Sequence, residues 1–383
     1  MPQVAVAREV SPVSADTDLP TDPNLRTIAD DVLGKLKYSF AVAAAGDHSP
    51  AAGQADHVVQ AFLATRKPNA RAAYQQKAKT LLQAPMAVRS THFGRFAAID
   101  PQTAATLGSD QIATRAVKLQ VDGAALKTSL LNHPKPEPNG THHDKESAKK
   151  AADAAKKVEE EIDQTTGNAL RTMRLYITRI KALQDTNDRA GTGGGDDIAM
   201  GGLFVGAKGH TTRVSQFEPS DDSFDSGDAV HLGKSRVFAK WDLVTEPKGF
   251  PYVYIAVIGL AETDDGGFDE FLEKLWGQVK STVESTVSEH IGEDLGKVIG
   301  NLVYGTIGGM IGGIIGEFVD WIVRIFDSPD DIIGVKTLRI TLAKSTMSYY
   351  VSRHLTASGG SARTLDYRGQ GGHYLVDVAF VVS

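Results

Sequence analysis

Residues 298–316 read VIGNLVYGTIGGMIGGIIG, nineteen residues without a formal charge, seven of them glycine. At a rise of about 1.5 Å per residue, a helix of that length spans roughly the 30 Å hydrocarbon core of a bilayer. Gly305, Gly309 and Gly313 stand four residues apart and form one ridge, and Gly308, Gly312 and Gly316 form a second beside it. In water each glycine costs a helix about 0.8–1 kcal/mol relative to alanine. Such a run needs a compensating contact, and a ridge without Cβ atoms supplies one by letting another backbone approach closely. Insertion into lipid is marginal. The large aliphatic residues contribute about −4 kcal/mol, which the glycines, Asn301, Tyr304 and Thr306 erode. The pattern predicts a segment kept soluble in one state and inserted as an assembled bundle.

Upstream, Phe268, Phe271, Leu272, Leu275, Trp276, Val279, Val283, Val287, Ile291, Leu295 and Ile299 recur at steps of three and four, so a long amphipathic helix precedes the ridge. Asp264 or Asp265 is positioned to cap its start. Downstream, Glu317, Asp320, Trp321 and Arg324 alternate with Phe318, Val319, Ile322, Val323, Ile325 and Phe326, an amphipathic end suited to an interface. Gly305, Gly308, Gly309, Gly312, Gly313, Gly316, Trp276 and Trp321 are the candidate residues for membrane contact and self-association.

The flanks of this helical stretch are strands. Ile198 to Val205, Ser235 to Val244, Tyr252 to Leu260, Lys336 to Leu342, Ser348 to His354 and Tyr374 to Val382 are short runs rich in Val, Ile, Tyr and Phe, bounded by Gly, Pro and Asp. They predict an antiparallel sandwich or barrel over 191–383, with residues 264–330 as a helical insert. An insert of that length between two strands carries a purpose of its own. Gly191 to Gly195, nearly all glycine, marks the start of this half.

The first half follows a different grammar. Residues 1–23 read as a leader without periodicity, and helical spacing begins near Asn24 with Ile28, Val32, Leu33 and Leu36. A mainly helical domain is expected over 24–131, with a half-buried strand at Ala116 to Asp122, where Val117, Leu119 and Val121 alternate with Lys118 and Gln120. Prolines in alternation predict a linker at 132–141. Over 142–190 a long charged helical segment is expected, its apolar stripe running through Ala148, Ala155, Val158 and Ile162 to Met173, Ile177 and Ile180. The fold class is thus α+β: a helical N-terminal half, then a sandwich-like β domain carrying a long glycine-zipper helical insert.

Chemistry is sparse. The formal charge of −6 and a pI near 6.0 offer no general attraction to nucleic acid. There is no cysteine, which excludes disulfides, thiolate metal sites and cysteine nucleophiles. Gly233-Lys234-Ser235 lacks the glycine that a phosphate-binding loop needs, since Asp228 stands at its place. His142-His143-Asp144 is the one tight histidine cluster and falls in an expected loop. Acidic turns containing Asp222, Asp225, Asp264 and Asp265 would supply hard oxygen ligands for calcium if two loops met, although turn formation and helix capping explain them at less cost. No enzymatic site and no cofactor are expected. The leader has no apolar core of a signal peptide, so the expectation is a protein that is cytoplasmic before release and leaves, if it does, by a dedicated route.

The glycine ridges resemble the apolar segments of membrane-active bacterial proteins such as pore-forming toxins and helical-hairpin bacteriocins. The likeness covers only about twenty residues and implies membrane insertion and homo-oligomeric packing. The function expected is therefore a membrane-active, toxin-like or effector-like protein. A soluble structural or cargo protein of a bacterial or phage assembly, in which the insert packs against other helices, is the alternative.

Overall fold

The computed structural model describes residues 13–15, 19–46, 58–59, 62–63, 66, 68–107, 109–132, 172–186, 195–207, 209–232, 236–242, 252–262, 268–292, 301–326, 332–342 and 362–382. The protein is mixed α+β, helical in its first part and mainly antiparallel β afterwards.

Strand β7 (Tyr252–Glu262) explains the layering, because alternate residues enter two different cores. Tyr254, Ala256, Ile258 and Leu260 join a core made of strand and loop residues only, while Ile255, Val257 and Ala261 join a core made largely of helices. Burial on both faces accounts for the nearly unbroken apolar run of this strand. Its sheet has the order β1 (Val13–Ala15), β8 (Ile332–Leu342), β7, β3 (Ile198–Val205), β4 (Thr211–Phe217). The second sheet has β5 (Ala229–His231), β2 (Thr172–Gln184), β10 (Gly372–Val382) and β9 (Ala362–Gly369) in order, and β6 (Val237–Asp242) also pairs with β2. Side chains of both sheets meet in the core formed by strand and loop residues.

On the far face of the first sheet lie α7 (Phe268–Ile291) and α8 (Asn301–Phe326), the two helices of the insert. Outside them is the N-terminal layer: α1 (Pro23–Ala45), α2 (Pro68–Gln83), α3 (Met86–Phe93), a 3-10 turn at Gly94–Ala98, and the shorter α4 (Pro101–Ala104), α5 (Ser109–Arg115) and α6 (Gly123–Asn132). Helix α1 begins where Asp22 accepts hydrogen bonds from the Asn24 and Leu25 amides at 2.9 and 3.1 Å. Its Leu25, Ile28, Val32 and Phe40 share a core with Ile311, Ile314 and Phe318 of α8 and with Val257 of the sheet. The helical half, the insert and one sheet face are therefore built around common apolar contacts.

Three expectations are corrected. Thr172–Gln184, expected as the end of a charged helix, is strand β2, while the earlier part of 142–190 lies mostly outside the described residues. Met173, Leu175 and Ile177 alternate inward; Thr178 is then an extra residue opposite Asp377 and Val378, and burial resumes at Ile180 and Ala182. That bulge turns a step of two into a step of three, which imitates a helix. Ala116 to Asp122 is not a strand but a connection, with Val117 exposed to 72%. Its carbonyls are met by side chains instead of a ladder: Arg95 Nη1 donates to Val117 O at 2.5 Å, and His290 Nε2 lies 3.4 Å from Leu119 O. Within the leader, Val13–Ala15 is an edge strand on β8. The linker at 133–141 and the expected strand at 348–354 lie outside the described residues.

Candidate functional site

Thr306–Phe326 of α8 is long and apolar enough to cross a membrane, with a mean hydropathy of 1.4, and 78% of that window is buried inside the fold. Core helices of soluble proteins meet the same condition of length and composition, so the surroundings of α8 carry the argument.

One side of α8 lies on the first sheet, and three ridge glycines make that approach close. A Cβ on Gly308 would stand 2.5 Å from Ile255 Cδ1 of β7, and one on Gly309 would stand 3.7 Å from Arg339 Cδ of β8. Thr337 Oγ1 donates to Gly312 O at 3.3 Å, a sheet-to-helix hydrogen bond inside the core. Gly313 is also buried, and Gly305 lies one turn from the helix start, among the residues whose side chains are not described. Gly316 differs from the others: it is half-buried, and a Cβ there would meet nothing within 4 Å. Much of the glycine space is thus filled by the protein's own sheet, and Gly316 leaves its share empty.

The other side of α8 faces the N-terminal layer through aromatic rings. Trp321 is fully buried, stacked on Phe318 at 6.0 Å between ring centroids and met edge-on by Phe40 and Phe326. Its indole Nε1 donates to His92 Nδ1 of α3 at 3.2 Å. The Lys37 ammonium of α1 lies 5.8 Å from the Trp321 ring centroid. Burial holds Lys37 below the ordinary lysine range, partly offset by Glu317. Burial, then the Lys37 and Arg324 cations, hold His92 below the ordinary imidazole value. Lys77 Nζ of α2 donates to Phe326 O at 2.6 Å and so satisfies a carbonyl at the end of α8.

Trp276 is buried on α7 and lines a narrow cleft with Val205, Ile255, Lys280, Gly308 and Ile311. Its indole nitrogen has no acceptor among the described residues. Residues 268 and 259 fix the start of α7 on the sheet, because Phe268 covers Gly259 so closely that a Cβ there would overlap its ring.

Of the calcium candidates, Asp222 and Asp225 are exposed on the loop before β5, and their amides are bonded locally to Ser220 Oγ and Asp228 Oδ2 at 3.1 and 3.0 Å. Asp264 and Asp265 lie outside the described residues, as do Gly233-Lys234-Ser235 and His142-His143-Asp144. Among the described residues no three His, Cys, Asp or Glu side chains gather as a metal site would require.

Sequence reading missed a buried polar knot where the two sheets meet. Asp196, wholly buried, accepts from Thr186 N and Oγ1, both at 2.6 Å, and from the Tyr374 hydroxyl. Beside it Asp185 accepts from Ser226 N and Oγ, both at 3.0 Å. Burial, reinforced by Asp196, pushes the Tyr374 phenol far above its ordinary value, so it remains a donor. Both Asp196 oxygens and Asp185 Oδ2 are occupied by donors, which makes the knot a fastening between strands. His92 and Lys37 were also missed; they sit about 230 and 284 residues from Trp321 in the chain, beyond the reach of local motifs.

No family model matches the chain, and neither a curated protein nor a solved structure matches it.

Proposed function

We propose that the protein is a membrane-active, non-enzymatic effector that stores an apolar helix in its soluble form and surrenders it to a lipid bilayer, where it self-associates through its glycine ridge. The observation that carries this reading is the division into two cores. Among the described residues the core between the sheets contains no helical residue, and the buried apolar side chains of α8 all belong to the other core. Helix α8 can thus separate from the sheet without dismantling the inter-sheet packing, which in this reading is a sandwich-like platform.

The absence of cysteine makes a direct test available. Gly316→Cys introduces a single thiol where a Cβ meets nothing, and it accepts an environment-sensitive fluorophore. With dye-loaded anionic or neutral liposomes, the proposal expects a blue-shifted probe on the labelled chain and dye release by the unlabelled wild type, because a label at Gly316 crowds the ridge. Neither effect at any pH from 7.5 to 5, with or without calcium, would remove the membrane reading.

A second reading rests on a different observation. Gly308, Gly309 and Gly312 are already packed against β7 and β8 of the same chain. On that basis the protein is a soluble structural or cargo component of a bacterial or phage assembly, with α8 as a permanent core helix. It expects a stable particle in light scattering, unaffected by lipid and without probe shift.

A further inference from the structure

We propose that the Trp321–His92 contact is an acid-sensitive latch that holds the N-terminal helical layer over α8. The inference rests on the reading of α8 as a helix that can be released, and it adds the regulation of that release. An indole N–H can only donate, so the His92 nitrogen 3.2 Å away must be unprotonated to accept it. Protonation makes both ring nitrogens donors and sets N–H against N–H. The new charge finds cations nearby: Lys37 reaches in from α1, and Arg324 from α8 itself. The neighbouring acids, Glu317 on α8 and Asp30 on α1, act on Lys37. Asp320 stands at the exposed side of α8 beside Trp321. On α3 itself Arg89 is turned to Ile99 O at 2.8 Å, and Arg95 of the 3-10 turn is held by Asp31.

The latch lies where opening has the largest consequence. Trp321 is the meeting point of Phe40 from α1, Phe93 from α3 and Phe318 and Phe326 from α8, all buried. Parting the histidine from the indole loosens α3 from the outer side of α8 and opens the edge of the ring cluster that holds α1 there, while the sheet-facing contacts of Gly308 and Gly312 remain. Acid therefore uncovers the apolar helix before it leaves the sheet.

The test follows binding of a hydrophobic dye and near-ultraviolet dichroism of the full chain from pH 7.5 to 5, first without lipid and then with dye-loaded liposomes. The wild type is expected to open as pH falls below about 6.5, the ordinary imidazole value. His92→Gln keeps an acceptor that cannot gain a proton, so its dye binding at pH 5.5 should stay at the pH 7.5 level. His210→Gln, on an exposed hairpin, should behave as the wild type. No opening of the wild type, or opening of His92→Gln at the same pH, overturns the latch. If His92→Gln does not fold at pH 7.5, Lys37→Met is read instead. With one cation gone, the fall in urea midpoint between pH 7.5 and 5.5 should be smaller than in the wild type, and an unchanged fall overturns the latch. Opening in acid without liposome leakage keeps the latch and removes the membrane role.

Discussion

Gly316 separates the folded state of α8 from the state proposed in lipid, and Gly316→Ala tests the first part of that separation. The residue lies inside a helix, so alanine gains about 0.8–1 kcal/mol of helix propensity. A Cβ at this position meets no atom within 4 Å, so no packing cost is set against that gain. With a urea m-value of about 2–3 kcal/mol/M, the unfolding midpoint of the helical core should rise by roughly 0.3–0.5 M. Gly308→Ala is the internal comparison. There the same gain is opposed by the need to move Ile255 Cδ1 from 2.5 Å, so its midpoint should rise less than that of Gly316→Ala. In liposomes the order of effects reverses. Gly316→Leu blocks close approach along the ridge of Gly308, Gly312 and Gly316, and dye release should fall severalfold although the soluble protein is no less folded. A drop in stability with Gly316→Ala would show that the position is packed after all. Unchanged release with Gly316→Leu would refute the use of the ridge in the bilayer.

Further expectations concern the fold and its fastening. Gly259→Ala places a Cβ inside the Phe268 ring, so the start of α7 must shift; a loss of about 1–3 kcal/mol is expected in urea unfolding. Tyr374→Phe leaves the buried Asp196 short of one donor and should cost about 1–3 kcal/mol, read in the transition of the inter-sheet core. Because the fold depresses the proton affinity of His92, the unfolded chain binds the extra proton more readily. The stability that His92 contributes is therefore present above about pH 6.5 and is lost as pH falls through its lowered value, which urea midpoints across that range will reveal.

The strands read at 198–205 and 252–260 were legible because period, length and turn residues agree within one window. Helix α8 was legible for the same reason, and so was its position between two strands. Strand β2 was not, because the bulge at Thr178 breaks the period that identifies a strand. The partner of the glycine ridge was also hidden. A surface free of Cβ atoms fits a helix or a sheet equally well, and only the tertiary arrangement brings Ile255 and Thr337 to it. The knot of Asp196, Thr186 and Tyr374 joins residues up to 188 positions apart, so no local spacing announces it. Between β9 and β10, Gln370 and Gly371 occupy positive φ between the paired Gly369 and Gly372, as a two-residue hairpin turn requires.

The insert departs from β7 and returns into β8, and these strands are neighbours with Ala261 paired to Ile332. Its two ends are therefore clasped at one point of the sheet, as the loop of a keyring is closed at its joint. The ordinary entropic cost of closing so long a loop is met once, by the ladder beneath it, whatever hangs above. The helices above that joint are held separately, by their apolar packing on the sheet face and on α1. Strand pairing at the base and side-chain packing above it are thus two independent fastenings of one insert.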